Sequence, residues 1–158
     1  MTGGLHAKTN GGKIIDRFIL LAIAVLSLCP ASSGQSGCDI KSLQSRKDVK
    51  HAMTVVYDET ARDGREHGFI VTATGVQIQL YASEMHTILH VHADTIAIFH
   101  THAVADSNQP SHTDVVNLKA LQAEAPGVCS YVIGHTHTQQ RTIYEIFPDG
   151  TVRMVSTF

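Results

Sequence analysis

Apolar residues recur with two different periods along the chain, and the longer period predicts two helices. Between residues 39 and 62, apolar side chains fall on one face of a helix, namely Leu43, Val49, Ala52, Val55 and Val56. The segment 114–124 (DVVNLKALQAE) also has helical spacing. Ser111 is its expected N-cap, and Asp114 stands three residues later in a capping-box arrangement.

Strand patterns account for most of the remaining chain. Six segments are apolar or alternate with period two, at 68–73, 76–81, 94–99, 128–133, 141–147 and 151–158. Thr74-Gly75 and Pro148-Asp149-Gly150 predict hairpin turns after the first and the fifth of these segments, and Asp63-Gly64 predicts the end of the first helix. The segment 82–92 is ambiguous between a short helix and an irregular connection. This order predicts an α/β (α+β) domain in which a mixed sheet is flanked by the two helices in three layers.

The N-terminus has the pattern of an export signal. Lys13 and Arg17 precede an uncharged run at 18–28 (FILLAIAVLSL), and small residues follow Pro30. We therefore expect a signal peptide at 1–33, a linker at 34–41 and the domain at 42–158. An uncleaved anchor is the alternative, and the protein is expected to be periplasmic or secreted, with membrane contact only through this segment.

The net charge and the cysteine content argue against two classes of function, nucleic-acid binding and a structural zinc knuckle. A formal net charge of -2 gives no basic footprint, so a nucleic-acid partner is not expected. Cleavage near residue 33 would leave Cys38 and Cys129, which either form a disulfide in an oxidising compartment or stay unpaired, with Cys129 as a buried small residue. Neither belongs to a C-x-x-C pair, so a structural zinc knuckle is not supported.

Metal-ligand residues are concentrated in one stretch of this chain, which contains 11 histidines. His100 and His102 end the apolar run 94–99, and two residues at i and i+2 of an extended strand point to the same side. Asp114 lies in the first turn of the next predicted helix. Two imidazoles and a carboxylate are the ligands of a catalytic zinc site with one open position, so we predict one Zn²⁺ per chain.

The order Glu66, H-x-H at a strand end, and S-x-x-D at a helix start resembles the JAMM (MPN+) zinc metalloproteases, especially the JAB-like domains of bacterial exported and toxin-associated proteins. The resemblance implies a three-layer fold similar to that of cytidine deaminase. It implies Glu66 as the catalytic acid/base, Ser111 as the oxyanion-stabilising hydroxyl, and His100, His102 and Asp114 as ligands. Glu59 and Glu84 compete with Glu66 for the role of base.

This sequence departs from the family pattern in three respects. Eight residues separate His102 from Ser111, where the common pattern has seven, and Ala103 replaces a frequent proline. The chain also has no room for the insertions that grip ubiquitin in eukaryotic deubiquitinases. A ubiquitin substrate is therefore not expected.

Further histidine pairs carry alternative interpretations. His90 and His92, with His86, could form a second metal cluster, although a polar connection is the simpler interpretation. His135 and His137 resemble the last motif of calcineurin-like phosphatases, but the other motifs of that family are missing. They are expected to be loop residues near a strand end that could line the cleft.

Three functions follow from these patterns. The first is zinc-dependent hydrolysis of a peptide or isopeptide bond in a peptide or protein substrate outside the cytoplasm. The second is a non-catalytic, His-rich periplasmic metal-binding protein, and the third is an inactive JAMM-like binding or toxin-associated module. A zinc deaminase is disfavoured because H-x-E and P-C-x-x-C are missing.

Overall fold

The computed structural model describes residues 39–80, 89–102, 109–136 and 138–158. The elements in chain order are α1 (Ile40–Ser45), α2 (Lys47–Asp63), β1 (Gly68–Thr72), β2 (Val76–Gln79), β3 (Thr95–Thr101), α3 (His112–Glu124), β4 (Cys129–His135), β5 (Arg141–Ile146) and β6 (Val152–Thr157). The described residues fall in one compact unit, Gly34–Phe158.

The six strands form one mixed sheet in the order β2-β1-β3-β4-β5-β6. β3 and β4 pair in parallel, and the other four pairs are antiparallel. The parallel pair requires a crossover connection, which α3 provides between the two strands. The predicted α+β class with a mixed sheet is confirmed.

The two long helices cover opposite faces of this sheet. Tyr131 and Ile133 of β4 pack in the larger core with α1 and α2, whereas Val132 between them packs with Leu118 of α3. Successive side chains of a strand point to opposite faces, so this alternation assigns α2 to one face and α3 to the other. The larger core includes a stack of Phe69, Phe99 and Tyr131 rings, each 4.6 Å from the next between centroids.

The prediction of one helix at 39–62 is wrong, because Arg46 interrupts it. Arg46 has extended backbone angles (φ -73, ψ 128), and it ends α1 and begins α2. Its guanidinium donates to the Asp48 carboxylate, at 2.6 Å from Nη2, and to the Thr72 carbonyl at 3.3 Å. The break therefore coincides with a contact to Thr72 of β1, 26 residues further along the chain. Helical periodicity within the segment does not detect such a contact. The predicted stop is confirmed, since Gly64 caps α2 in the left-handed region (φ 72).

The two predicted hairpins are confirmed, and the functional strand is longer than expected. β1 pairs with β2 and β5 with β6, both antiparallel. β3 runs to Thr101, two residues beyond the predicted end at Phe99, so His100 lies in an extended strand, as the i and i+2 spacing of His100 and His102 predicted. Part of the ambiguous segment 82–92 lies outside the described residues.

The structure describes one of the two cysteines discussed above and none of the predicted signal. Cys129 is disulfide-bonded, and its predicted partner Cys38 lies outside the described residues, as does the predicted signal at 1–33. Within the described residues, no helix is both long and apolar enough to span a membrane.

Candidate metal centre

The site forms where the carboxyl end of β3 meets the amino end of α3. His100 lies beside Val132 of β4, which belongs to the core on the α3 face. The His100 side chain therefore points toward α3, and His102, two residues on, follows it. Asp114 stands in the first turn of α3, which brings its carboxylate to the same place.

Three side chains converge there at close range. His100 Nε2 lies 3.3 Å from His102 Nε2 and 3.2 Å from Asp114 Oδ1, and His102 Nε2 lies 3.1 Å from Asp114 Oδ2. Among the described residues, these three form the one group of histidine, cysteine and acidic side chains that could hold a metal ion. The structure thus brings together all three ligands that the sequence predicted.

Ser111 ties the carboxylate to the start of the helix. Its backbone N–H and its hydroxyl donate to Asp114 Oδ2 at 2.6 and 2.7 Å, and its Oγ accepts from the Asp114 N–H at 3.2 Å. This reciprocal arrangement is the predicted capping box, with aspartate in place of the usual glutamate or glutamine. The Ser111 residue itself is exposed, so its hydroxyl can also meet a ligand.

The Asp114 carboxylate is held in its charged form. Burial acts to raise the pKa of this group, but hydrogen bonds from His100 and His102, the charge of His100 and the Ser111 hydroxyl outweigh it. The pKa of Asp114 is therefore well below its ordinary value. An ionised carboxylate beside two imidazole nitrogens is a ready donor set for a cation.

The spacing of the ligand atoms suits a tetrahedral ion. A tetrahedron with metal–ligand bonds of about 2.0–2.1 Å has edges of about 3.3–3.4 Å. The two imidazole Nε2 atoms, 3.3 Å apart, lie at that value. The Asp114 contacts use different oxygens, Oδ1 for His100 and Oδ2 for His102, and one ligand atom from each of the three residues lies within 4.8 Å of the others. Mg²⁺ and Ca²⁺ prefer oxygen ligands, so two imidazoles favour a transition ion.

Glu66 precedes β1 at the end of the sheet where this group lies. Gly68 pairs with His100 at the last step of the antiparallel pair β1–β3. Beyond it, the Thr101 N–H donates to the His67 carbonyl at 2.8 Å, and the His67 N–H donates to the Thr101 hydroxyl at 2.9 Å. Glu66 is the residue before His67 and is half-buried.

The competing acids are not placed in the same way. Glu59 lies within α2 and forms an ion pair with Arg62 on the helix surface. Glu84 lies outside the described residues. Of the described candidates, Glu66 is the one that lies just before β1, the strand that pairs with His100.

The remaining histidines do not join the site among the described residues. His92 Nε2 bonds Gln77 Oε1 at 3.2 Å, and the backbone of His90 bonds the Gln79 side chain, so both lie along the edge strand β2. His86 and His137 lie outside the described residues. The prediction that His135 is a loop residue is wrong, because it is the last residue of β4 and is buried against Tyr57, with ring centroids 6.4 Å apart.

Sequence reasoning missed the residues that lie behind the ligands. Thr101, between the two histidines, bonds Thr60 of α2 and the backbone of His67. Gly68 allows β1 to approach β3 beside His100. A threonine between two ligands and a glycine at the first position of a buried strand were visible, but their partners are up to 41 residues away.

Comparison with known protein families finds no family model that matches this chain, and comparison with curated proteins finds no significant match. The functional argument therefore depends on the geometry of the site.

Proposed function

We propose that this protein is a zinc-dependent hydrolase of the JAMM type that cleaves a peptide or isopeptide bond outside the cytoplasm. The observation that carries the proposal is the convergence of His100, His102 and Asp114 at a strand end and a helix start. The two imidazole Nε2 atoms are 3.3 Å apart, and one ligand atom from each of the three residues lies within 4.8 Å of the others, which brings all three within reach of one zinc ion.

The architecture supports the same proposal. A mixed sheet has α2 on one face and α3 on the other, and the ligands lie at the end of a central strand next to its parallel neighbour. This is the kind of three-layer arrangement that the resemblance to JAMM proteases implies. Of the motifs in this order, the H-x-H pair and S-x-x-D converge in space, and Glu66 precedes the strand that pairs with His100.

A zinc ion held by these three side chains would act as a Lewis acid and lower the pKa of water to about 7. His100, His102 and Asp114 would hold the ion, and three protein ligands would leave a fourth position for water or substrate. The capping box and the surrounding strands hold this donor set, so little reorganisation is required on binding.

Glu66 is the residue to which we assign proton transfer. It lies two residues before Gly68, which pairs with His100, and it is half-buried. From there its carboxylate would take a proton from the attacking water and pass it to the leaving amine. A carboxylate that is close to the ligands but outside the ligating group suits a base better than a fourth ligand.

Ser111 is assigned to the developing oxyanion. Its hydroxyl is exposed at the mouth of the site, and it donates to Asp114 in this structure. A rotation about its side-chain bond would redirect that hydrogen toward a substrate oxygen. The backbone N–H of Ser111 would keep its bond to Asp114 during that rotation.

Export is part of the proposal. The N-terminal pattern of positive charge, apolar run and small residues is that of a signal. The disulfide at Cys129 supports an oxidising compartment. A peptide, a cell-wall crosslink or the tail of a partner protein would be available there as a substrate.

The test of the proposal is the metal content of the purified mature protein from Ser36 onward, measured beside Asp114→Ala. The matched control is Asp48→Ala, which removes another first-turn aspartate from a helix. A His90→Ala/His92→Ala double variant controls for binding by other histidines. We expect one zinc per chain in the wild type and in both controls, and none in Asp114→Ala.

Activity separates the enzyme from the alternatives. Glu66→Gln should keep its zinc and lose peptide hydrolysis, because the base is removed while the ligands remain. Zinc binding without hydrolysis in the wild type would favour a metal-binding protein. A chain without zinc would favour an inactive module and would contradict the proposal.

A further inference from the structure

A buried hydrogen-bonded cluster lies directly behind the metal ligands, on the α2 face of the sheet. It consists of Thr60 and Asp63 of α2, His67 before β1, and Thr101 of β3, and we name it the Thr101 cluster. Thr60, His67 and Thr101 are 3%, 3% and 1% exposed. Since Thr101 lies between His100 and His102, its side chain points away from the metal site, toward α2.

The hydroxyl of Thr101 is fully used in this cluster. It accepts from the His67 N–H at 2.9 Å and donates to the His67 carbonyl at 3.1 Å. It also bonds the Thr60 hydroxyl, which acts as the donor because the proton of Thr101 is already directed to His67. One donated and two accepted bonds are the whole capacity of a hydroxyl. Valine, of similar shape, would lose all three bonds.

The His67 ring ties the same cluster to the end of α2. Its Nε2 donates to the Asp63 carboxylate, at 3.1 Å from Oδ1 and 3.0 Å from Oδ2. Its Nδ1 is buried and has no hydrogen-bond partner among the residues that the structure describes. An apolar side chain would leave no buried nitrogen unpaired, so the stability of the core alone does not explain histidine here. The ring instead fixes the segment between α2 and β1.

The cluster joins the parts of the chain that carry the proposed chemistry. Thr101 is joined through the backbone to His100 on one side and to His102 on the other. The bonds that fix the Thr101 side chain therefore also set the directions of these two histidines. His67 is adjacent to Glu66 along the chain. Movement of the Thr101–His67 pair would therefore change the positions of two ligands and of the base together.

We propose that the Thr101 hydroxyl, held by His67 and Thr60, is a positioning group that sets the mutual orientation of His100 and His102. The inference deepens the proposed function, because the orientation it describes is that of the proposed metal ligands. Residues behind metal ligands orient them, and their loss typically costs about 10–100-fold in metal affinity.

The test uses substitutions matched in chemistry and strand. Thr101→Val removes the hydroxyl, and Thr101→Ser restores it without the methyl group. Thr95→Val is the control, because Thr95 begins the same strand, is 7% exposed, and accepts one hydrogen bond from the His92 N–H at 2.9 Å. Thr60→Val removes a single partner of Thr101, and it serves as the second variant if Thr101→Val does not fold.

Two measurements are made on each variant, namely Co²⁺ binding followed by its visible absorption bands, and the imidazole ¹H–¹⁵N resonances of the metal-free protein. We expect Thr101→Val to bind Co²⁺ about 10-fold more weakly with shifted bands, and Thr101→Ser to resemble the wild type. Thr95→Val should keep wild-type affinity and bands even where its stability falls. Thr60→Val should change in the same direction as Thr101→Val, by less.

The outcomes separate this inference from the proposed function. Wild-type Co²⁺ affinity, bands and resonances in a folded Thr101→Val or Thr60→Val would overturn the positioning role and leave the proposed function intact. If the wild type binds no Co²⁺, the proposed function fails. The resonances then decide the positioning role: a change at His100 and His102 in Thr101→Val, but not in Thr95→Val, supports it, and unchanged resonances overturn it.

Discussion

Gly68 lies directly opposite His100 in the β1–β3 pair, and there is no space at Gly68 for a side chain. A Cβ at Gly68 would stand 2.7 Å from the Phe99 carbonyl oxygen and 3.4 Å from the His100 Cβ. β1 can therefore approach β3, the strand that carries the candidate metal ligands, only because residue 68 is a glycine.

Gly68→Ala is expected to destabilise the protein and weaken metal binding together. The added methyl group would push against the Phe99 backbone carbonyl as well as against Leu89 Cδ2, at 2.8 Å, and overpacking of this kind costs about 1–3 kcal/mol. Urea unfolding measures the stability, and Co²⁺ titration measures the site. Gly75→Ala is the matched control, because a Cβ at Gly75 meets nothing within 4 Å. Equal behaviour of the two variants would contradict this interpretation.

Ser111→Ala tests the capping box separately from the chemistry. Loss of an N-cap side chain costs about 1 kcal/mol of stability, and we expect that loss in urea unfolding of the metal-free protein. Zinc content should stay near wild type, since the backbone N–H of Ser111 still donates to Asp114. If the hydroxyl also stabilises the oxyanion, kcat should fall by about 10²–10³. Ser111→Thr keeps the hydroxyl, and an equal loss of stability in that variant would argue against the cap.

Zinc is expected to stabilise the folded protein through the Asp114 site. A ligand present at 100 times its Kd adds about 2.7 kcal/mol to the free energy of unfolding, which corresponds to roughly 10 °C in Tm for a domain of this size. Thermal unfolding with zinc and with a chelator measures the difference. The shift should disappear in Asp114→Ala and persist in Asp48→Ala. A shift of equal size in both variants would place the ion elsewhere.

The burial of Glu145 predicts that the free energy of unfolding falls as pH rises from acid to neutral. It lies opposite Tyr131 in β4 and Arg153 in β6, and burial raises its pKa above the ordinary value. Burial, with the charges of Glu145 and Asp39, likewise raises the pKa of Tyr131, which keeps that hydroxyl protonated. Because the neutral carboxyl is the form favoured by folding, its contribution is complete below the unfolded pKa of about 4.3 and is lost as pH rises through the folded pKa.

The wild type is expected to lose stability between acid and neutral pH as the buried Glu145 ionises. Glu145→Gln should not show this loss, because glutamine does not ionise. The variant is expected to be more stable than the wild type at pH 7 and to differ less at pH 4. Urea midpoints across that range measure the effect. Glu124→Gln, at the exposed end of α3, is the control, and its urea midpoints should follow those of the wild type across this pH range. The prediction is refuted if Glu145→Gln also follows the wild type.

The sequence by itself determined the local elements and the ligand set. Strand and helix periods follow from side-chain spacing along a few residues, which is why the hairpins, the start of α3 at Ser111 and the end of α2 at Gly64 were predicted. His100, His102 and Asp114 were also predictable, because ligand types at a strand end and a helix start form a short pattern. The parallel pair β3–β4 was not predicted as such, although the crossover helix required by it was.

Only the tertiary structure decided what depends on contacts between distant parts of the chain. Arg46 interrupts the first helix where its side chain reaches Thr72, and His135 is buried in a strand because Tyr57 of α2 covers it. Register across β1 and β3 placed Gly68, two residues after Glu66, opposite His100. The partners of Thr101 lie 34 and 41 residues away. Local spacing carries no information on such pairs, since the pairing of strands and the packing of helices on a sheet are set by the whole core.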